Sequence, residues 1–280
     1  MKSNEIETIE IELFLEAIYR RYGYDFRNYA RASVNRRVRH LLEKTQSKSI
    51  SAMTERLLHD ESFFAELALG FSITVTEMFR DPSFYKSLRK NVIPFLKTFP
   101  YVKVWHAGCA SGEEVYSLAI LFEEEGLYDK STIYATDYND VALQKAAKGV
   151  YPIDRIKSYS SNYIDSGGMS TLSDYYYADY NSVIMDKNLR RNITFANHNL
   201  ATDGVFSEMH LVLCRNVVIY FNKELQERVY KLFEESLVFD GFLCLGAKES
   251  IDFSLVRGDF ADIDRDMRIF QKKSINSMLR

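Results

Sequence analysis

The stretch VKVWHAGCASGEEVYSLA, residues 102–119, decides how the chain is read. Its first seven residues, VKVWHAG, read as a strand running into a glycine, the pattern of a buried strand entering a tight turn. The sequence then changes period. EEVYSLAILFEEEG places Val115, Leu118, Ala119 and Phe122 on one helical face. Strand, glycine turn and helix recur downstream: TIYATD predicts a second strand, and NDVALQKAAKG a second helix closed by Gly149. MHLVLCRN predicts a central strand, KELQERVYKLFEESL a helix, GFLCLGA another strand, and MRIFQKK a terminal strand of antiparallel sense. Such alternation predicts an α/β fold, a parallel Rossmann-like sheet with helices on both faces.

The alternation breaks between residues 150 and 199, where Tyr, Ser, Asn and Asp crowd around SGGMS. Tyr175–Ala178, Ser182–Met185 and Ile193–Ala196 are predicted as short strands of a small β insertion, spanning about residues 152–198. Upstream of residue 101 the texture is helical. Ile9, Leu13, Ala17 and Ile18 keep a helical period, as do Val34, Val38, Leu41 and Leu42. Residues 50–70 give two further short helices ending at Gly70. FSITVTEMFR is then a connector, and a helix runs from about Pro82 to Thr98. The expected organisation is an N-terminal helical domain over 1–70, a linker and helix over 71–100, and the α/β domain over 101–280.

Composition excludes several classes. No apolar run approaches the roughly 20 residues that span a bilayer, and the start, MKSNEIETIEIELF, is acidic and amphipathic, unlike a signal peptide. A cytoplasmic protein, without membrane insertion, is expected. The three cysteines, Cys109, Cys214 and Cys244, are odd in number and far apart, so they read as reduced core residues and not as a disulfide frame or zinc site. Net charge is −3, which argues against a general nucleic-acid binder. The charge is nevertheless lopsided. Nine Arg and Lys residues lie between Arg20 and Lys48 against only Asp25 and Glu43. A basic patch on an acidic chain points to one particular anionic surface.

The turn itself carries chemistry. Gly108 and Gly112 follow the G-x-x-x-G spacing, which is neither the G-x-G-x-x-G of dinucleotide sites nor, lacking lysine, a P-loop. Glu113 and Glu114 open the following helix, where they would repel a pyrophosphate and suit a ligand with a positive centre. Asp137 ends the second strand, placed to take both hydroxyls of a ribose. Taken singly, the turn is equally a tight βα connection and the aspartate a helix cap. Together they describe a nucleoside site, and S-adenosylmethionine joins a nucleoside, a sulfonium and an amino acid.

At this point a resemblance emerges. CASGEEVYSLA (109–119) resembles the signature C-S-x-G-E-E-P-Y-S-[IL]-A of the CheR family of chemotaxis protein-glutamate methyltransferases, with Val115 in place of proline. LCRNVVIYF (213–221) is similar to that family's F-C-R-N-V-x-I-Y-F, and Thr76-Glu77-Met78-Phe79-Arg80 to its T-x-F-F-R. Asn199-Leu200, Ala135-Thr136-Asp137 and Gly149-Val150-Tyr151 stand where the family has its Asn-Leu, ATD and G-x-Y. The resemblance runs over nearly the whole chain.

It implies that Thr76, Arg80, Gly108, Glu113, Asp137, Asn199, Leu200, Asn216 and Val217 hold S-adenosylmethionine, the product being S-adenosylhomocysteine. Thr74 stands where the family commonly has an asparagine contact. Either Glu113 or Glu114 can face the ligand, the first being preferred. Arg80 and Tyr220 correspond to the active-site pair. The implied reaction is methyl esterification of glutamates on methyl-accepting chemoreceptor cytoplasmic helices, by a monomer, with no metal. Arg31, Arg36, Arg37 and Arg39 would dock those helices, with Arg36 and Arg39 sharing a side. The β insertion would grip a receptor C-terminal tail by strand addition. Two alternatives stay open: a non-catalytic S-adenosylmethionine-binding signalling scaffold, and a same-fold methyltransferase with another acceptor. A base-amino enzyme would want an N/D-P-P-Y/F motif where this chain has CRNVVIYF.

Overall fold

The computed structural model describes residues 3–60, 63, 64, 67 and 76–274. The helix end expected at Gly70 and the first half of the connector, Thr74 included, lie outside the described residues. The chain divides into two compact units: one takes residues up to 73 together with Tyr220–Arg228, the other takes 74–219 and 229–280.

The helical unit contains α1 (Ser3–Tyr22), α2 (Arg31–Thr45) and α3 (Ile50–His59). Helix α2 buries Val34, Val38 and Leu41 as its period predicts, and Ser49 caps α3 by accepting from the Ala52 N–H. Helix α1 corrects the sequence reading. Its core face is Ile11, Phe14, Leu15 and Ile18, while Ile9 is 46% and Leu13 is 59% exposed. Both stripes satisfy a helical period, so periodicity alone could not choose between them.

The larger unit begins with a helical run over 82–96. Helix α4 (Pro82–Ser87) passes into a π-helical segment, Leu88–Val92, and then α5 (Ile93–Leu96). Pro94 cannot donate to a carbonyl in the preceding turn and crowds it, which accounts for the widened turn. Strand β1 (Val102–Ala107), helix α6 (Glu113–Glu124), β2 (Ser131–Asp137) and α7 (Asp140–Lys148) follow. Next come β3 (Val150–Pro152), α8 (Ile156–Asp165), β4 (Tyr176–Asp179), β5 (Ser182–Met185) and β6 (Ile193–Asn197). Then β7 (Met209–Cys214), α9 (Lys223–Ser236), β8 (Leu237–Leu245), β9 (Phe260–Asp264) and β10 (Ile269–Lys272) complete the chain.

Seven strands form one sheet in the order β6-β2-β1-β7-β8-β10-β9. The first five run parallel, and β10 is antiparallel to both its neighbours. Strands β3, β5 and β4 form a separate antiparallel sheet. The strand expected as the third of the insertion, Ile193–Ala196, is observed as β6 (Ile193–Asn197) and instead extends the main sheet beside β2. It is an edge strand with several exposed residues, so it lacks the continuous apolar run that marks its neighbours. Val150–Pro152 takes its place in the small sheet. Because Ala107 is level with Thr136, Asp137 with Asn197 and Cys214 with Leu245, the segments after β1, β2, β6, β7 and β8 all leave one edge. In an open parallel sheet, that edge is where ligands bind.

Candidate active site at the carboxyl edge of the sheet

Gly108 and Gly112 both have positive φ, +73° and +90°. A Cβ on Gly108 would fall 2.5 Å from Val217 Cγ2, and one on Gly112 would fall 2.8 Å from Ala146 Cβ. The turn is therefore pressed between the segment after β7 and helix α7, with no room for side chains. Gly108 and Cys109 donate to the Thr136 carbonyl, each at 2.8 Å, fastening the turn to β2. Asp137 is buried where β2 ends. Its Oδ2 accepts from Ala110 N at 2.9 Å, and its Oδ1 from Asn139 N at 2.9 Å. Burial raises its pKa, while these amides and that of Tyr138 pull the other way.

The two glutamates have different tasks. Glu114 is buried in an ion pair with Arg215, with His106 Nε2 at 3.3 Å and the Tyr85 hydroxyl donating at 3.5 Å. Burial opposes its charge, but Arg215 and His106 outweigh that and hold its pKa at about 2. Glu113 accepts from the Ser111 hydroxyl at 2.7 Å and makes no ion pair among the described residues. Burial pushes its pKa up to about 7. Glu114 is thus committed to Arg215, while Glu113 keeps a carboxylate with no ion pair among the described residues.

Arg215 also reaches Asp81 at 2.7 Å and donates to the Arg80 carbonyl at 3.2 Å. Phe79 N donates to Ser117 Oγ at 2.9 Å, and that hydroxyl donates to the Glu113 carbonyl at 2.8 Å. Phe79 and Asp81, with φ of 53° and 57°, flank Arg80 in left-handed geometry. Arg80 is therefore fixed through its backbone, while its half-buried guanidinium makes no hydrogen bond or ion pair among the described residues. Thr76 is half-buried in the same approach.

On the far side, Glu249 accepts from the N–H groups of Asn216 at 2.9 Å, Val217 at 2.8 Å, Ile219 at 3.3 Å and Gly246 at 2.6 Å. That clamp holds Asn216 in left-handed geometry, φ 61°, and seats Val217 against Gly108. Asn199 follows β6, where His198 N donates to the Asp137 carbonyl at 3.2 Å. Its side chain accepts from Ala201 N at 3.0 Å, and Leu200 is buried.

The structure thus brings Gly108, Glu113, Asp137, Asn199, Leu200, Asn216 and Val217 to one edge. Tyr220 falls in the helical unit, where its carbonyl accepts from Ala30 N at 2.7 Å and the Arg37 guanidinium lies 4.9 Å from its ring. Sequence reasoning missed Glu249 and the organising role of Arg215. The second lay inside the quoted CRN block; the first had no motif to announce it. The three cysteines are buried thiols whose pKa burial drives up, so none is a nucleophile.

The basic helix looks different in three dimensions. Arg39 makes two hydrogen bonds to Glu7, at 2.6 and 3.0 Å, and Arg31 pairs with Glu12. Arg37 is buried against Tyr29 and Tyr220 and presents no charge outward, unlike the flank position expected of it. Arg36 alone of the four is exposed with no ion pair among the described residues. A count along the sequence missed this because the opposing carboxylates sit on α1.

A seven-stranded sheet with one antiparallel strand near its edge, a glycine turn and buried acids after β1 and β2 defines the class I methyltransferase fold. Comparison with known proteins agrees: residues 74–265 match the CheR methyltransferase SAM binding domain, and residues 9–69 match the CheR methyltransferase all-alpha domain. The chain belongs to the CheR methyltransferase family, and its cofactor is S-adenosylmethionine. It is 50% identical to the methyltransferase Cher3 of Pseudomonas putida over 97% of this chain and 100% of that one. It is 29% identical to the chemotaxis protein methyltransferase of Listeria monocytogenes, covering 85% of this chain and 88% of that one. Chemotaxis protein methyltransferase 2 of Vibrio cholerae is 27% identical, with 89% and 88% covered. Among the described residues, no helix is long and apolar enough to cross a membrane.

Proposed function

We propose that this protein transfers a methyl group to glutamate side chains on the cytoplasmic helices of a methyl-accepting chemoreceptor, acting as a monomer in the cytoplasm. Asp137 would take the ribose hydroxyls, Glu113 the cationic portion of the cofactor, and Asn199, Leu200, Asn216, Val217, Thr74 and Thr76 would line the remainder. The residues present fit that ligand: the buried carboxylates of Asp137 and Glu113, at the carboxyl edge of the sheet, make no ion pair among the described residues. S-adenosylmethionine supplies an electrophilic methyl on sulfonium.

The observation that carries the acceptor assignment is Arg80, fixed by its backbone with its guanidinium uncommitted among the described residues. A glutamate carboxylate is already ionised at neutral pH and needs no general base. What it needs is alignment and exclusion of water, and an arginine can supply the first through charge-assisted hydrogen bonds. Tyr220 is retained as the second active-site residue on the CheR resemblance alone. The test is transfer of labelled methyl to a receptor fragment, read as base-labile methanol. Base-stable label would mean another acceptor, and cofactor binding without transfer would mean a scaffold.

Docking is assigned to Arg36 in the first place. Arg36→Glu should raise KM for the receptor fragment about fivefold or more and weaken its salt dependence, leaving cofactor affinity unchanged. Arg39→Glu is a poorer probe, because it would face Glu7 and disturb the helical unit. Strand β4, paired on one side only within its sheet, would receive a receptor tail by strand addition.

A further inference from the structure

The segment between Gly246 and Asp259 leaves β8 at the same sheet edge as the glycine turn and Asp137. Within it Ile251 and Val256 are buried, whereas Phe253 is 101% and Leu255 is 91% exposed. The loop is well tied down. Asp252 lies 3.3 Å from Arg257, 3.8 Å from Arg265 and 3.7 Å from Arg268. Ser254 N donates to the Ile251 carbonyl at 2.9 Å, and Arg257 N to the Ser254 carbonyl at 3.1 Å. Glu249, the clamp on Asn216 and Val217, belongs to the same loop. A single exposed hydrophobic is ordinary. Here two of them, separated by one residue, are held in solvent between buried anchors, on the element that shapes the site. The fold gains nothing from their apolarity, and exposed apolar groups so placed mark a contact with a partner.

We infer that Phe253 and Leu255 dock on the protein acceptor, packing against apolar side chains beside its acceptor glutamate. This rests on the glutamate-acceptor reading and deepens it. Charge carried by Arg36 is long-ranged and screened by salt, so it guides encounter without fixing how a carboxylate is presented to the site. A short-range apolar contact at the carboxyl edge supplies that register. A second copy of the chain, or a lipid surface, seated there would crowd the edge that the acceptor must approach.

The test is the double variant Phe253→Ser/Leu255→Ser, with Phe253→Leu as the conservative control. KM for a receptor cytoplasmic fragment should rise about tenfold or more in the serine variant, equally at low and high salt. The leucine variant should stay within about threefold of wild type. Melting temperature and cofactor Kd should not move. A receptor KM unchanged in the serine variant, while wild type forms base-labile ester, overturns this inference alone. Wild type that binds cofactor yet forms no ester overturns the acceptor reading, and this inference with it. A wild-type dimer in sedimentation that the serine variant abolishes assigns the patch to a second copy and also overturns it.

Discussion

Arg215→Ala should destabilise the larger unit by about 3–5 kcal/mol, the usual consequence of removing one partner from a buried ion pair. The alanine leaves Glu114 buried without its main counter-charge, and removes the donor to the Arg80 carbonyl. Trp105, the only tryptophan and fully buried, reports unfolding by fluorescence in denaturant. The pH dependence has a definite sign. In wild type the Glu114 pKa is depressed to about 2, so its stabilising contribution is complete above the usual carboxylate value and is lost as pH falls toward 2. In the variant only His106 still opposes burial, so that pKa rises, the protonated acid is tolerated and the deficit narrows in acid. A second variant separates stability from chemistry. Replacing both Arg215 and Glu114 by methionine should recover most of the lost stability, since apolar pairs of similar volume often substitute for buried ions. It should not recover turnover, because Arg80 still lacks its tether. Full activity in the double methionine variant would show that the network only packs.

These residues also show what the sequence could and could not disclose. The βαβ frame was readable because a parallel sheet buried on both faces forces continuous apolar strands between amphipathic helices. VKVWHA, TIYATD and MHLVLC all became strands of the main sheet, and Asn139 and Gly149 bound helix α7. Gly108, Glu113 and Asp137 could be singled out because a ligand edge demands glycine and acid at fixed offsets from those strands. Glu249 could not: three of its partners are backbone amides of residues some 30 positions earlier, and any solvent-facing glutamate looks the same on paper. Strand β6 and the exposed stripe of α1 were misplaced for a related reason, since edge strands and two-striped helices satisfy more than one periodic pattern. The pairing of Arg39 was not legible because its counter-charge, Glu7, lies 32 residues away along the chain.

The last prediction turns on Glu113, whose carboxyl is pushed up to about 7 by burial, against smaller opposing effects of Ser111, its own backbone amide, Arg155 and Lys145. A cationic cofactor beside it would favour the ionised form, so binding below that pH must expel a proton. Affinity should therefore rise about tenfold per unit from pH 5 to about 7 and level off above, roughly 100-fold in all between pH 5 and pH 8. Calorimetry in two buffers of different ionisation enthalpy should register close to one proton released at pH 6 and few at pH 8. Glu113→Gln should flatten the profile and hold affinity near the low-pH level of wild type, since the amide keeps the shape but not the charge. The depressed Glu114 contributes nothing in this range, being ionised throughout. A wild-type profile that is flat from pH 5 to pH 8, or one whose slope survives Glu113→Gln, would remove Glu113 from the cofactor site and return the choice to another acid, Asp137 first among them.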